Sequence, residues 1–318
     1  MRKALAMMLV AAAIAAPLTA GSATRLSLGT GSTGGVYYFV GTAMSKLLNQ
    51  YMPETTTTPE PVTGSAHATK LVHAGELTMA LAELATVHHG YRGSRKDFDK
   101  KYDNVRFVMA GMDTGQTAVA WAESGVKSYS DIKGKRIATN SPASRAMIAP
   151  AMDMYNVKDS DVQHRTLGYA EQVSAMKDGS LDVGFFAAAP RNASVMELAA
   201  TRPVRVIGLD PGKAKEFSAA YPYWTPLTLK AGTYPGQDTD ILMPAFYTTL
   251  IVNKDTDATV VYNIVKTVIE HNKEFGELHA GGKEFTVDKT RLFVDNKMLP
   301  APMHPGAERF WRERGVIK

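Results

Sequence analysis

Residues 29–35 read Gly-Thr-Gly-Ser-Thr-Gly-Gly, four glycines interleaved with the hydroxyl side chains of Thr30, Ser32 and Thr33. Glycine permits a sharp turn that leaves backbone N–H groups open, and the hydroxyls add further donors. Such a set of donors is equipped to hold an anion. The flanks determine how the loop is mounted. Leu26 and Leu28 alternate with Ser27, which predicts a short strand. Val36, Tyr37, Val40, Met44, Leu47 and Leu48 then recur at helical spacing. Strand, glycine-rich turn and helix together put the donors at the positive end of a helix dipole. The loop is expected to bind an acidic group of a small ligand. At least one of Tyr37 and Tyr38 must point off the helix core, with an aromatic face and a hydroxyl to offer.

Two other uses compete for the loop. Gly29, Gly31 and Gly34 satisfy G-x-G-x-x-G, so a dinucleotide site stays open. That fingerprint wants an acid at the end of the second strand, whereas Glu54 precedes the extended run over residues 55–61. A hydrolase phosphate loop is excluded, because no Gly-Lys-Ser/Thr follows. A tight turn without a ligand is the other alternative.

The elements expected further along form an α/β alternation. Strands are predicted over 55–62, 77–81, 105–110, 117–122 and 181–186, with helices over 66–74, 146–155 and 170–178. Gly64-Ser65 makes a second strand-to-helix turn, where Ser65 caps a helix or touches a ligand. A third polar turn carries Asn140, Ser144 and Arg145. A guanidinium there could grip a carboxylate through two parallel bonds, or be an exposed surface charge. Phe185 and Phe186 face opposite ways on a regular strand, so one reaches a cleft, with Phe186 the candidate, and the other fills the core. His88-His89 lacks metal-ligand spacing and reads as surface. Tyr221, Tyr223 and Trp224 read as packing, and His304 as the start of the last helix. No Ser/His/Asp or paired-acid constellation is discernible.

Arg2 and Lys3, the apolar residues 4–17 and the small-x-small site Gly21-Ser22-Ala23 predict a cleaved signal peptide over 1–23. No later run is apolar enough to span a bilayer, and the chain has no cysteine for a lipid anchor, disulfide or thiolate site. Roughly 295 mature residues predict two domains. The net charge of +5 falls by two when Arg2 and Lys3 are lost, and the remaining basic residues are scattered. This excludes a nucleic-acid footprint and suits an anionic solute.

The stretches LGTGSTGGVYYFVGTAMSKLLN, VTGSAHATKLVHAGELTMAL and GVKSYSDIKGKRIA resemble the solute receptors of TRAP transporters, specifically the TAXI subfamily. The resemblance continues through LDVGFFAAAP, AGTYPGQDTDI and PMHPGAERFWRERG, so it covers nearly all of the mature chain in order. It implies a two-lobed periplasmic-binding-protein fold, class II-like, with a hinge and an interlobe ligand cleft. The lobes would be 24–120 plus 246–318, and 121–245. It also implies a periplasmic receptor, neither enzyme nor cofactor-dependent, that delivers a small anionic solute to an ion-driven TRAP permease. A sensor protein as recipient, or a dinucleotide-dependent oxidoreductase, is the alternative. Carried over, the ligand loop becomes Thr30, Gly31, Ser32, Thr33, Gly34 and Gly35, with Tyr37 close by and Ser65 in the second turn.

Four departures from the family pattern concentrate at that cleft. Ala68, preceded by His67, stands where the family has Asn, and Glu83 stands where Gln is usual. Ala143-Ser144-Arg145 replaces glycine-serine-glycine, and Ala189 replaces the glycine before a proline. An acid at Glu83 would repel a carboxylate unless protonated or paired. The glutamate or glutamine preference of parts of the family is therefore not carried over.

Overall fold

The computed structural model describes residues 23–31, 33, 35–187, 192–221 and 223–318. Nearly all of the expected leader lies outside them, as do Ser32, Gly34, Ala189 and Arg191. In chain order the elements are β1 (Thr24–Thr30), α1 (Val36–Tyr51), β2 (Thr55–Pro61), α2 (Ser65–Ala74), β3 (Met79–Glu83), α3 (Leu84–Arg92) and β4 (Val105–Trp121). There follow β5 (Arg136–Thr139), α4 (Pro142–Asp153), β6 (Gln163–Thr166), α5 (Tyr169–Lys177), β7 (Val183–Ala187), α6 (Ala193–Thr201) and β8 (Val204–Ile207). The chain ends with α7 (Pro211–Ala220), β9 (Trp224–Leu229), β10 (Ile241–Asn253), α8 (Ala258–Glu270), α9 (Asn272–Leu278), α10 (Val287–Asp295) and α11 (Pro305–Glu313).

One curled sheet runs β2-β1-β3-β10-β4-β7-β5-β6, with β8 on β4 and β9 on β10. It has two halves. In the first, β1 lies parallel between β2 and β3, and β10 closes against β3 in the opposite sense. In the second, β5 lies parallel between β6 and β7, and β4 closes against β7 and β8. Two long strands serve both halves. The first part of β4 pairs with β10 from Val105 to Asp113, and its last part pairs with β7 and β8. β10 leaves β9 at Phe246 and joins β3 and β4 from Tyr247 onward, with register shifts on β4 near Thr248 and Leu250.

The sequence predicted separate strands over 105–110 and 117–122, whereas one 17-residue strand runs through both. The intervening Asp113, Thr114 and Gln116 look like turn residues, yet each is largely buried in the crossing strand. Asp113 is paired there with Lys289 of α10 at 2.7 Å, and Gln116 donates to Ser144 of α4. Partners far along the chain thus allow a polar run to stay extended.

Each half is packed on both faces. In the first, α1, α8 and α11 bury Leu28, Met44, Leu47, Val265 and Trp311 on one side. Ala68, Val72 and Val87 of α2 and α3 meet Ile251 on the other. In the second, Phe185 packs with Tyr129, Ile148 and Phe217, and Phe186 with Val173, Met176 and Leu198. His304 caps α11 by accepting from the Gly306 N–H, and Trp311 donates to the Val108 carbonyl, so the C-terminal motif fastens the first half.

Helix α1 approaches β1 unusually closely, because a Cβ at Gly41 would stand 2.3 Å from Thr30 Cγ2. Gly41→Val should therefore lower the unfolding free energy by about 1–3 kcal/mol. An unchanged denaturant midpoint would show instead that α1 can slide outward freely.

Candidate functional site

The carboxyl ends of β1, β2 and β3 and the starts of α1, α2 and α3 share one edge of the first half. Strand order reverses at β1, which makes this edge the crevice where open α/β sheets take ligands. The three N-terminal residues, Gly35, Gly64 and Glu83, make no side-chain capping bond to their helices, and no first turn holds an acid. Gly64 turns the chain into α2 at φ 125°, a backbone conformation that needs glycine. The starts of α1 and α2 are therefore uncapped, with the positive ends of two dipoles behind them, whereas the start of α3 is buried and has the Glu83 carboxyl at its cap position.

The first-half candidates are brought together here, but several have other duties. Thr30 is fully buried, and its hydroxyl donates to the carbonyls of Gly31 and Glu60. Gly31 and Gly35 are half-buried and Thr33 is exposed, while Ser32 and Gly34 lie outside the described residues. Tyr37 is buried, accepts from Thr248 Oγ1 at 2.9 Å, and meets Phe246 edge-on. Burial pushes its hydroxyl pKa up, so it stays protonated. Ser65 caps nothing, and its Oγ accepts from the Glu83 backbone N–H at 3.0 Å.

Glu83 is the buried acid of this edge. Its Oε2 accepts from Thr86 at 2.7 Å and its Oε1 from the Trp224 indole at 2.9 Å. The second bond crosses between the halves, since the Trp224 ring stacks on Phe217 of α7. Beside it, Tyr223 packs on His88 of α3. The aromatic segment is thus packing, as its composition indicated, but it also carries a donor. Burial is the main influence on Glu83 and raises its pKa against those two hydrogen bonds and the Arg95 charge.

On the second half, α4 starts at the carboxyl end of β5. Ser141 is its cap and accepts from the Ser144 N–H, with Pro142 preset at the first helical position. Ser144 is buried; its Oγ donates to Asn140 Oδ1 at 2.5 Å and receives Gln116 Nε2 at 3.2 Å. The Tyr169 hydroxyl accepts from the Ala187 N–H at 3.1 Å, with the Gln116 and Asn140 amides beside it. Asn192 holds the Ala187 carbonyl through Nδ2, and its own N–H donates to Tyr234. Gln237 in turn braces the Tyr234 turn through three backbone carbonyls. The Tyr-Pro-Gly-Gln motif is in this way a strut under the second half.

Asn140 and Ser144 are therefore neighbours, and Arg145 is one residue further on. Its guanidinium lies against Asp159 with both terminal nitrogens buried and without a hydrogen-bond partner among the described residues, and it faces His164, whose pKa burial and that charge lower. Phe186 is fully buried under Tyr169 in the sheet's apolar layer, and Phe185 is equally buried on the opposite face. Sequence reasoning missed Gln116, Tyr169 and Asn192. Gln116 alone left a signal, as an amide inside an otherwise β-forming run. Among the described residues no group of three His, Asp or Glu side chains could hold a metal.

The Glu83 carboxyl gives a pH test. A raised native pKa means the folded state keeps a proton that the unfolded state releases, so stability falls as pH climbs from the ordinary glutamate range through the native value. Glu83→Gln removes that penalty. Its melting temperature should move in the variant's favour, relative to wild type, as pH rises from 4 to 7. A constant difference would mean that Glu83 titrates alike in both states.

Three solved structures share this architecture. The periplasmic sulfonate-binding protein SsuA of Methylobacillus flagellatus matches with TM-score 0.53 and 10% identity, covering 92% of this chain and 95% of that one. A Xanthomonas citri protein solved with ATP bound gives 0.52 and 11%, covering 92% and 97%. The periplasmic aliphatic sulphonate binding protein SsuA of Escherichia coli gives 0.50 and 13%, covering 92% and 79%. At such identities the likeness establishes a two-lobed periplasmic-binding-protein fold and leaves the ligand open. The model of the NMT1-like family matches residues 28–315, and the chain belongs to that family.

Proposed function

We propose that the protein is an exported solute receptor that captures a small anionic organic solute, a carboxylate or amino-acid-like acid, and hands it to a TRAP permease as TAXI receptors do. The observation that carries this reading is the pair of helix N-termini at α1 and α2, neither side-chain-capped and neither with an acid in its first turn, at the strand-order reversal. A carboxylate there takes its neutralising charge from backbone dipoles. The family membership and the binding-protein fold support a role in solute capture.

In this reading the acid group sits on the loop from Thr30 through Gly35, near Ser65, while Tyr37 and Glu83 brace the loop from behind. The polar far end meets Asn140, Ser144 and Arg145, with Phe186 as the floor beneath Tyr169. The two halves move against each other as lobes, with the boundary expected at 120 falling nearer Gln116, where β4 takes up β7, and β4 and β10 are the crossing segments. The periplasm is the proposed location, on the strength of the leader pattern over 1–23. No helix of the described residues is long and apolar enough to cross a membrane. The protein's work is capture and release, with no reaction of its own.

Thermal melting of the purified protein against C4-dicarboxylates, 2-oxoglutarate, glutamate, glutamine, aromatic acids, sugar acids and NAD tests the reading. A ligand at a hundred times its dissociation constant adds about 2.7 kcal/mol. A shift with one acid class is expected. A shift with NAD alone would replace the receptor by a dinucleotide-binding protein.

A further inference from the structure

We propose that Gln116 reads the far end of the ligand, and that the ligand is a monoacid bearing a neutral hydrogen-bond donor there, an amide or a hydroxyl, in preference to a second carboxylate. This rests on the receptor reading and names its substrate class. Gln116 is 2% exposed, and its Oε1 has no hydrogen-bond partner among the described residues. Such a buried amide oxygen is costly unless something donates to it.

The orientation of the amide follows from its neighbours. Ser144 donates to Asn140 Oδ1 and accepts from Gln116 Nε2 and the Ser141 hydroxyl, an arrangement that turns Gln116 Oε1 the other way. Gln116 pairs with Ala187 at the carboxyl end of β7, and Ser144 stands in the first turn of α4. Gln116 thus stands where the carboxyl end of β7 meets the start of α4, the edge that the receptor reading gives to the ligand.

Asn140, Ser141, Ser144, Tyr169 and Gln116 are all neutral. Arg145, one residue beyond Ser144, lies against Asp159, yet both its terminal nitrogens are buried without a hydrogen-bond partner among the described residues, so it is a separate feature from the Gln116 oxygen. At Gln116 itself a second carboxylate would meet the acceptor oxygen to oxygen, whereas an N–H or O–H would complete the cluster.

Calorimetric titration with two matched sets tests this: succinamate, succinate and butyrate, then glutaramate, glutarate and pentanoate. In at least one set the amide acid should bind tenfold or more tighter than both the dicarboxylate and the plain monoacid. Gln116→Met, close in volume, should erase the amide's advantage over the plain acid, while Gln116→Glu, which keeps an acceptor, should retain it. Tighter binding of a dicarboxylate, or an amide preference that survives Gln116→Met, overturns the assignment. So does silence from all six compounds at millimolar concentration. In that event a small acid found by mass spectrometry of the purified protein would preserve the receptor reading, and its absence would sink both.

Discussion

The antiparallel pairing of β4 with β10 is the constraint on which the rest of the molecule depends. Both strands are long, and each changes partners partway, so the sheet continues from one half to the other without a break in its hydrogen bonding. Everything at the candidate site is placed relative to that crossing. Gln116 lies just past it on β4, Thr248 lies on it in β10, and Glu83 pairs with Thr248 across the sheet.

Buried polar groups are concentrated where the strands change partners. Asp113 meets Lys289, Tyr37 meets Thr248, and Glu83 meets Trp224, each linking a crossing strand or the second half to a helix or strand end of the first. In a low-dielectric interior such bonds are directional and costly to leave unmade. They set the geometry of the junction more tightly than apolar contacts would, since side chains in an apolar layer can exchange neighbours at lower cost.

The proposed anion site draws on backbone dipoles in the first half. The uncapped starts of α1 and α2 line the first half, while in the second half Arg145 lies against Asp159 with its terminal nitrogens buried and unpartnered among the described residues.

The local chemistry was legible in the sequence because it depends on near neighbours. The strand, glycine turn and helix of residues 26–48, the turn at Gly64, the stop at Gly179 and the start at His304 follow from residues within a few positions of each other. The tertiary structure decided what depends on distant partners. It joined two expected strands into β4 by giving Asp113 and Gln116 partners 176 and 28 residues away. It turned Ser65 from a cap into an acceptor for Glu83, gave Glu83 a donor 141 residues on, and set Arg145 against Asp159. Spacing cannot reveal such pairs, because polar side chains find their partners only after the chain has been folded back on itself.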